Sequence, residues 1–374
     1  GFQLTMTNPG GSGTLYYSTN GTDPLLINSD GSFSVSSSAL VYSSAVTVSS
    51  NITVKSRVLN GGVWSALNEA DFALGSTPSL MSLVISEFSY QPAESAVDAA
   101  DGDDFEFIEI MNISSDAIDL TSLEFDQGIT FDFATIPLSE RTLAAGARAV
   151  IVEDKSSFQS RYGTSITVLG KWVGKLSNSG ESIRLRIKGG STVQEFTYND
   201  KAPWPTCADG DGYSLVLVDP TSSPVHNDAA SWRCSVQADG VPGGSDAIAV
   251  FSGSVSADDD FDGLNALLEH FLGSADSDVS SGNNLLSIGV VEIPDVVTTK
   301  HLTYTFRRKL GQDDLSYNIE VSTTLQSSSW QSGAAQSVLM SQVHNGDGTV
   351  TETWRSVASF ADEQKLFMRL KVTN

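Results

Sequence analysis

The sequence predicts an all-β protein made of tandem β-sandwiches, with one short helix between the second and third. Three observations carry this. Aliphatic and aromatic residues come in short alternating runs broken by Gly, Ser, Thr, Asn and Asp, the texture of half-buried strands joined by turns. At 374 residues the chain can hold several domains, each with its own core. Only 256–273 contains apolar residues at helical spacing.

The first unit spans 1–75. Alternation over Leu15–Ser18 and Ile52–Val58 predicts strands, and Asn20-Gly21 and Asp23-Pro24 are turn dipeptides. The chain opens inside a strand-like segment, Phe2-Gln3-Leu4-Thr5-Met6-Thr7, so a piece of a longer protein is expected. A link, Gly75-Ser76-Thr77-Pro78-Ser79, leads to a second unit over 80–247. Its strands are read at Leu83–Phe88, Phe105–Asn112, Ala149–Val152, Ile183–Ile187 and Val193–Tyr198. Period-two strands with Gly, Asn and Asp turns predict an immunoglobulin-like sandwich here. The last unit, 283–374, carries strand runs at Leu302–Arg307, Leu315–Ser322, Val338–Val343, Thr349–Arg355 and Lys365–Val372. Asn345-Gly346-Asp347-Gly348 forms a hairpin turn among them, and a fibronectin-like sandwich is expected.

Between these units, 248–282 holds the chain's most specific motif. Counting Asp258 as the first position, acidic residues fall at the first, third and fifth (Asp258, Asp260, Asp262), glycine follows at Gly263, and Glu269 closes the set. That is the oxygen-ligand spacing of an EF-hand-type calcium loop. The three aspartates can point into one turn, with the Leu264 carbonyl beside them. Gly263 permits a left-handed bend, and Glu269 can chelate from the following helix. In that helix Leu264, Leu267, Leu268 and Phe271 make an apolar stripe expected to pack on a neighbouring domain. Asp276 and Asp278 stand open as further ligands or as solvated loop. A single loop of this kind joins domains more often than it performs chemistry.

Formal net charge is −24 at pH 7, which argues against nucleic acid and anionic membrane surfaces as partners and suits calcium and saline, extracellular conditions. No apolar run approaches the roughly 20 residues that span a bilayer, so no membrane insertion is expected. Two cysteines, Cys207 and Cys234, lie in loop-like sequence of one unit. Both a bridge and two free thiols are open on that ground alone, the bridge requiring an oxidising compartment.

Tyr17-Ser18-Thr19-Asn20-Gly21-Thr22-Asp23-Pro24 resembles the Tyr-Thr-x-Asp-Gly-Ser-Asp-Pro signature of the small β-sandwich at the C-terminus of chitobiase and β-hexosaminidase enzymes. That resemblance implies an accessory module whose motif residues carry turn geometry and packing. The second unit is similar to the lamin-tail domain in its bacterial form. The landmarks are Ile85-Ser86-Glu87, Phe107-Ile108-Glu109-Ile110-Met111-Asn112, Leu176-Ser177-Asn178-Ser179-Gly180-Glu181, Trp204-Pro205 and Asp209-Gly210-Asp211-Gly212-Tyr213-Ser214-Leu215. In the fold this implies, Cys207 and Cys234 come near one another, which favours the bridge. The order of modules resembles the C-terminal part of large exported bacterial proteins, some with a CotH-type region upstream.

Catalytic signatures are missing from the sequence. No Gly-x-Ser-x-Gly elbow occurs, the four histidines scatter over three predicted units, and no His pair has zinc-binding helical spacing. No Walker or dinucleotide fingerprint appears. Exposed aromatics can pack on sugar rings, and Trp64, Trp172, Trp204 and Trp330 are the candidates, Trp64, Trp172 and Trp204 foremost. The expectation is therefore a non-catalytic extracellular or cell-surface interaction or anchoring region with a calcium-stabilised interdomain junction. Its expected partner is a polysaccharide or a surface protein. The alternatives are a carbohydrate-active enzyme using carboxylates in 94–109, and a purely structural spacer.

Overall fold

In the computed structural model, residues 2–72, 82–94, 101–222, 224–247, 250–294 and 298–374 are described. The link at 75–79 and part of the acidic loop, 95–100, therefore lie outside the described residues. The chain is all-β, tandem immunoglobulin-like sandwiches with strands in several sheets and two α-helices among the described residues. Contacts cluster into two units: 1–86 with 108–175 and 181–197, and 87–107 with 176–180 and 198–374.

In the first unit, strand Ile52–Asn60 is the spine of the N-terminal module. Thr14–Ser18 pairs with it along one edge, and Val63–Trp64 and Asn68–Phe72 pair with it in turn. The module's core is small: Leu4, Val48 and Val54, with Met6, Tyr17, Val46, Ile52 and Phe72 against them. The motif beginning at Tyr17 makes a turn. Gly21 sits at φ +76°, and Asn20 accepts a hydrogen bond from the Thr22 N–H. Asp23 accepts from the Leu25 N–H and pairs with Arg57 through two bonds of 2.7 Å.

The immunoglobulin-like sandwich follows. In one sheet of this unit, Val168–Lys171, Arg148–Val152, Phe107–Asn112 and Leu83–Ser89 lie in that order. The facing sheet runs Phe131–Asp132, Leu123–Gln127, Ser182–Ile187, Thr192–Thr197. Ile85, Ile108, Ile110 and Ile151 from the first and Leu123, Phe125, Leu185 and Phe196 from the second are fully or almost fully buried. Leu83–Ser89 is buried along its whole length, so the expected alternation with polar residues is replaced by continuous burial. Sequence reading found a single helix, but Lys155–Tyr162 forms a second. It is capped by Asp154, which accepts from the Ser156 and Ser157 N–H groups, and it stops at Gly163. Only Phe158 on it is buried, so it lacks the apolar stripe that would have marked it.

In the second unit, Glu87 and Phe88 pair with Leu215–Leu217, which pairs with Trp232–Cys234. Phe88, Tyr90, Tyr198, Trp204 and Trp232 form an aromatic cluster there. The C-terminal sandwich has a four-stranded sheet in the order Leu286–Ile293, Thr299–Lys309, Thr349–Ser359, Ser337–His344. The sheet opposite contains Gln331–Ser332, Ser316–Ser322 and Phe367–Thr373. The expected hairpin turn at 345–348 joins two of these strands, with Gly346 and Gly348 at φ +80° and +77°. Helix Ala266–Leu272 contributes Phe271 and Leu272 to this sandwich's core, among Leu302, Phe306, Ile319, Val321 and Met368, with Leu264 and Leu268 packed at its margin.

Candidate metal centre

The loop before that helix is shaped by its own backbone. Phe261 and Gly263 take φ of +61° and +92°. The Asp262 N–H donates to Asp260, the Leu264 N–H to Asp262 at 2.7 Å, and the Gly263 N–H to Asp258 at 3.3 Å. These bonds fold the chain so that the side chains of Asp258, Asp260 and Asp262 converge, each offering an oxygen within 4.8 Å of the others. The helix then starts at Asn265, whose side chain accepts from the Leu268 N–H, and ends at Gly273 in the left-handed conformation. That places Glu269 in the first turn, fully buried.

Several carboxylate oxygens at this point are left without partners. Asp258 Oδ1, Asp260 Oδ2 and both oxygens of Glu269 are buried with no hydrogen bond. Burial pushes the Glu269 carboxyl up, and Asp260 and Asp262 push it the same way. The nearby Ser274 hydroxyl acts in the opposite sense without a hydrogen bond of ordinary geometry to it. Two carboxylates about 5 Å apart repel by roughly 3 kcal/mol at an effective dielectric near 20, so a counter-charge would stabilise the cluster. The structure brings together the three aspartates alone; Glu269 stands outside that 4.8 Å group, near enough for Asp260 and Asp262 to act on its carboxyl. Two Glu269 oxygens and the Leu264 carbonyl would have to turn inward to reach the lower end of calcium's usual roughly six to eight ligands. The donor set is all oxygen, which suits a hard divalent cation. Asp276 accepts from the Asp259 N–H and Asp278 from the Ser280 N–H and hydroxyl, so both spend an oxygen on loop geometry.

The other expected sites fare differently. Cys207 and Cys234 form a disulfide with Cα atoms 6.1 Å apart. Trp172 and Trp204 are 2% and 7% exposed. A sugar platform needs an open aromatic face, so the reading of these two as platform residues is corrected: they are packing residues. Trp64 is half-buried beside Tyr16, ring centroids 5.6 Å apart, and Trp330 carries Arg369 over its ring at 4.3 Å. In the acidic stretch, Asp101 caps the turn Gly102–Phe105. Glu106 accepts from the Leu176 N–H, and Glu109 accepts from the Ser86 hydroxyl and pairs with Arg148.

Sequence reasoning gave Glu87 no role and placed Glu106 and Glu109 only within the acidic stretch 94–109, missing their burial. Glu87 accepts from the Ser214 hydroxyl and the Val241 N–H; Glu106 and Glu109 are wholly buried. An acid in the middle of an apolar strand run was the available signal. It missed Arg233 too, whose guanidinium meets Asp246 and Asp313. It also gave no role to His344, whose imidazole stacks on Tyr213 with centroids 3.8 Å apart. Burial holds the pKa of His344 down at about 4.

Residues 76–200, the immunoglobulin-like sandwich, match the family model of the Lamin Tail Domain. This stretch is similar to a lamin tail. Residues 2–65 match the family model described as Fn3 associated. The lamin-tail match covers the landmark strands beginning at Ile85 and Phe107 and ends short of the Trp204 and Asp209 landmarks. No curated protein matches the chain. Lamin-tail and Fn3-associated domains are non-catalytic all-β modules, which suggests an interaction module. No helix among the described residues is long and apolar enough to cross a membrane.

Proposed function

We propose that this chain is a non-catalytic interaction or anchoring region of an exported, extracellular or cell-surface protein, stiffened by one calcium ion at 258–269. The observation that carries the calcium reading is the convergence of Asp258, Asp260 and Asp262, two of which act on the carboxyl of the buried, unpartnered Glu269. The residues that would hold the ion are these four and the Leu264 carbonyl. The bound ion would supply the counter-charge, and the chain's own part is to hold the helix. Phe271 and Leu272 sit in the core of the C-terminal sandwich, so calcium at the loop would fix the segment entering that sandwich from the lamin-tail side. Fn3-associated and immunoglobulin-like modules are typical of extracellular proteins, and an acidic chain with a disulfide suits that setting. A chitobiase-like accessory role for the first module and a place downstream of a CotH-type region belong to the same reading.

The partner proposed is a polysaccharide or another surface protein. Retention of the whole chain on a panel of soluble and insoluble polysaccharides, with calcium and then with chelator, tests this. Retention on one glycan class that weakens with chelator supports a calcium-assembled binding module. Failure on every glycan turns the reading towards a protein-binding arm or a spacer.

A further inference from the structure

A second cluster of ligating atoms lies apart from the acidic loop. Cys207 lies in the short turn Thr206–Ala208 that follows Trp204-Pro205, Cys234 ends a strand, and His344 ends a strand of the C-terminal sandwich. The two sulfurs and a ring nitrogen of His344 lie within 4.8 Å of one another. Both cysteines are 3% exposed. Neither ring nitrogen of His344 has a hydrogen-bond partner, although both are buried. An imidazole must present a donor or a lone pair at each nitrogen, and a buried polar group left unmet costs about 1–3 kcal/mol. Stacking on Tyr213 fixes the ring's plane but satisfies neither nitrogen. Two sulfurs and an imidazole are the donor set that selects a borderline-soft metal such as zinc, and they leave a fourth tetrahedral position open.

We propose that Cys207, Cys234 and His344 are a redox-gated site for a zinc-type divalent cation, closed when the disulfide is formed and opened by its reduction. The exchange balances with a dithiol as reductant. One thiolate of the reductant attacks a sulfur of the Cys207–Cys234 bond, giving a mixed disulfide and one protein thiol. The second reductant thiol then displaces the other cysteine. The reductant leaves as a disulfide and both cysteines are thiols. Zinc binding then releases two thiol protons, and a ring nitrogen of His344 donates its lone pair. The disulfide joins the Cys207 turn to the Cys234 strand, and the metal would join the same two to the His344 strand as well.

The test uses the whole chain, reduced with dithiothreitol, desalted without oxygen and saturated with calcium so that the acidic loop is filled. Cobalt is titrated first, for its thiolate charge-transfer absorption, and then zinc by calorimetry. The expected result is one zinc per reduced chain at this site, with proton release, and none on the oxidised chain. His344→Ala should weaken zinc by at least about tenfold while leaving the oxidised protein's disulfide and calcium binding unchanged. Equal zinc affinity in reduced wild type and His344→Ala overturns the proposal, as does equal affinity in reduced wild type and a Cys207→Ser/Cys234→Ser variant. If reduction lowers the circular dichroism signal, recovery on adding zinc supports the site, and no recovery overturns it.

Discussion

Replacing Arg233 by methionine removes the cation from a buried triad whose geometry is saturated. Its Nε and Nη2 donate to Asp313 at 2.6 and 2.7 Å, its Nη2 and Nη1 to Asp246 at 2.6 and 3.2 Å, and its Nη1 to the Cys234 carbonyl at 3.0 Å. The side chains of Arg233 and Asp246 are 8% and 2% exposed. Without the guanidinium, Asp246 still accepts from the Val236 N–H but loses its counter-charge. Breaking a buried pair by removing one partner costs about 3–5 kcal/mol. For a unit of this size each kcal/mol moves Tm by about 2–4 °C, so the expected loss is about 6–20 °C. Thermal unfolding followed by near-ultraviolet circular dichroism reads it. Arg233→Met combined with Asp246→Leu and Asp313→Leu leaves no charge uncompensated and should recover most of the loss. A shift under about 1 °C in the single variant, or a triple variant no better than the single, would refute the claim that charge pairing rather than packing is at stake.

Reducing the Cys207–Cys234 bridge, with a sequence separation of 27, should cost about 3.5 kcal/mol by chain-entropy arithmetic; an unchanged urea midpoint for the reduced, metal-free chain would contradict it. Glu352 is buried, which by itself would raise its pKa, but Arg308, Trp354 and Tyr317 outweigh burial and hold it below the ordinary glutamate value. A depressed carboxyl gives stability that is present above its unfolded pKa and lost as pH falls through the folded one. The C-terminal sandwich should therefore weaken below about pH 4.5, and Glu352→Gln should flatten that acid limb; identical acid profiles for the two proteins would count against the assignment. Gly263 has no atom within 4 Å of the place a Cβ would occupy, so Gly263→Ala pays only for its φ of +92°. At about 1–2 kcal/mol, calcium affinity should fall roughly 5- to 30-fold, read by calorimetry; an unaltered affinity would show that the bend is not part of the site.

Local features were legible in the sequence because their causes are local. Alternation marked Ile52–Val58 within the strand Ile52–Asn60, a strand run was read at Thr349–Arg355 within Thr349–Ser359, and the spacing of Asp258, Asp260, Asp262 and Glu269 lies within one turn and one helix start. The helix Lys155–Tyr162 escaped because it buries only Phe158, leaving Asp154 and Gly163 as its sole markers. The burial of Trp172 and Trp204 depends on neighbouring sheets, which residue type does not report. Arg233 finds Asp313 80 residues away, and His344 reaches Cys207 and Cys234 from a separate sandwich. Such long-range pairs leave no periodicity behind.

Calcium titration of the whole chain by calorimetry, run beside limited proteolysis, tests the central claim most directly. One equivalent of calcium is expected to bind wild type and to slow cleavage near 250–280, with both effects lost in Asp260→Ala. No calcium heat, or cleavage near 250–280 that is the same with calcium, with chelator and in Asp260→Ala, would contradict it.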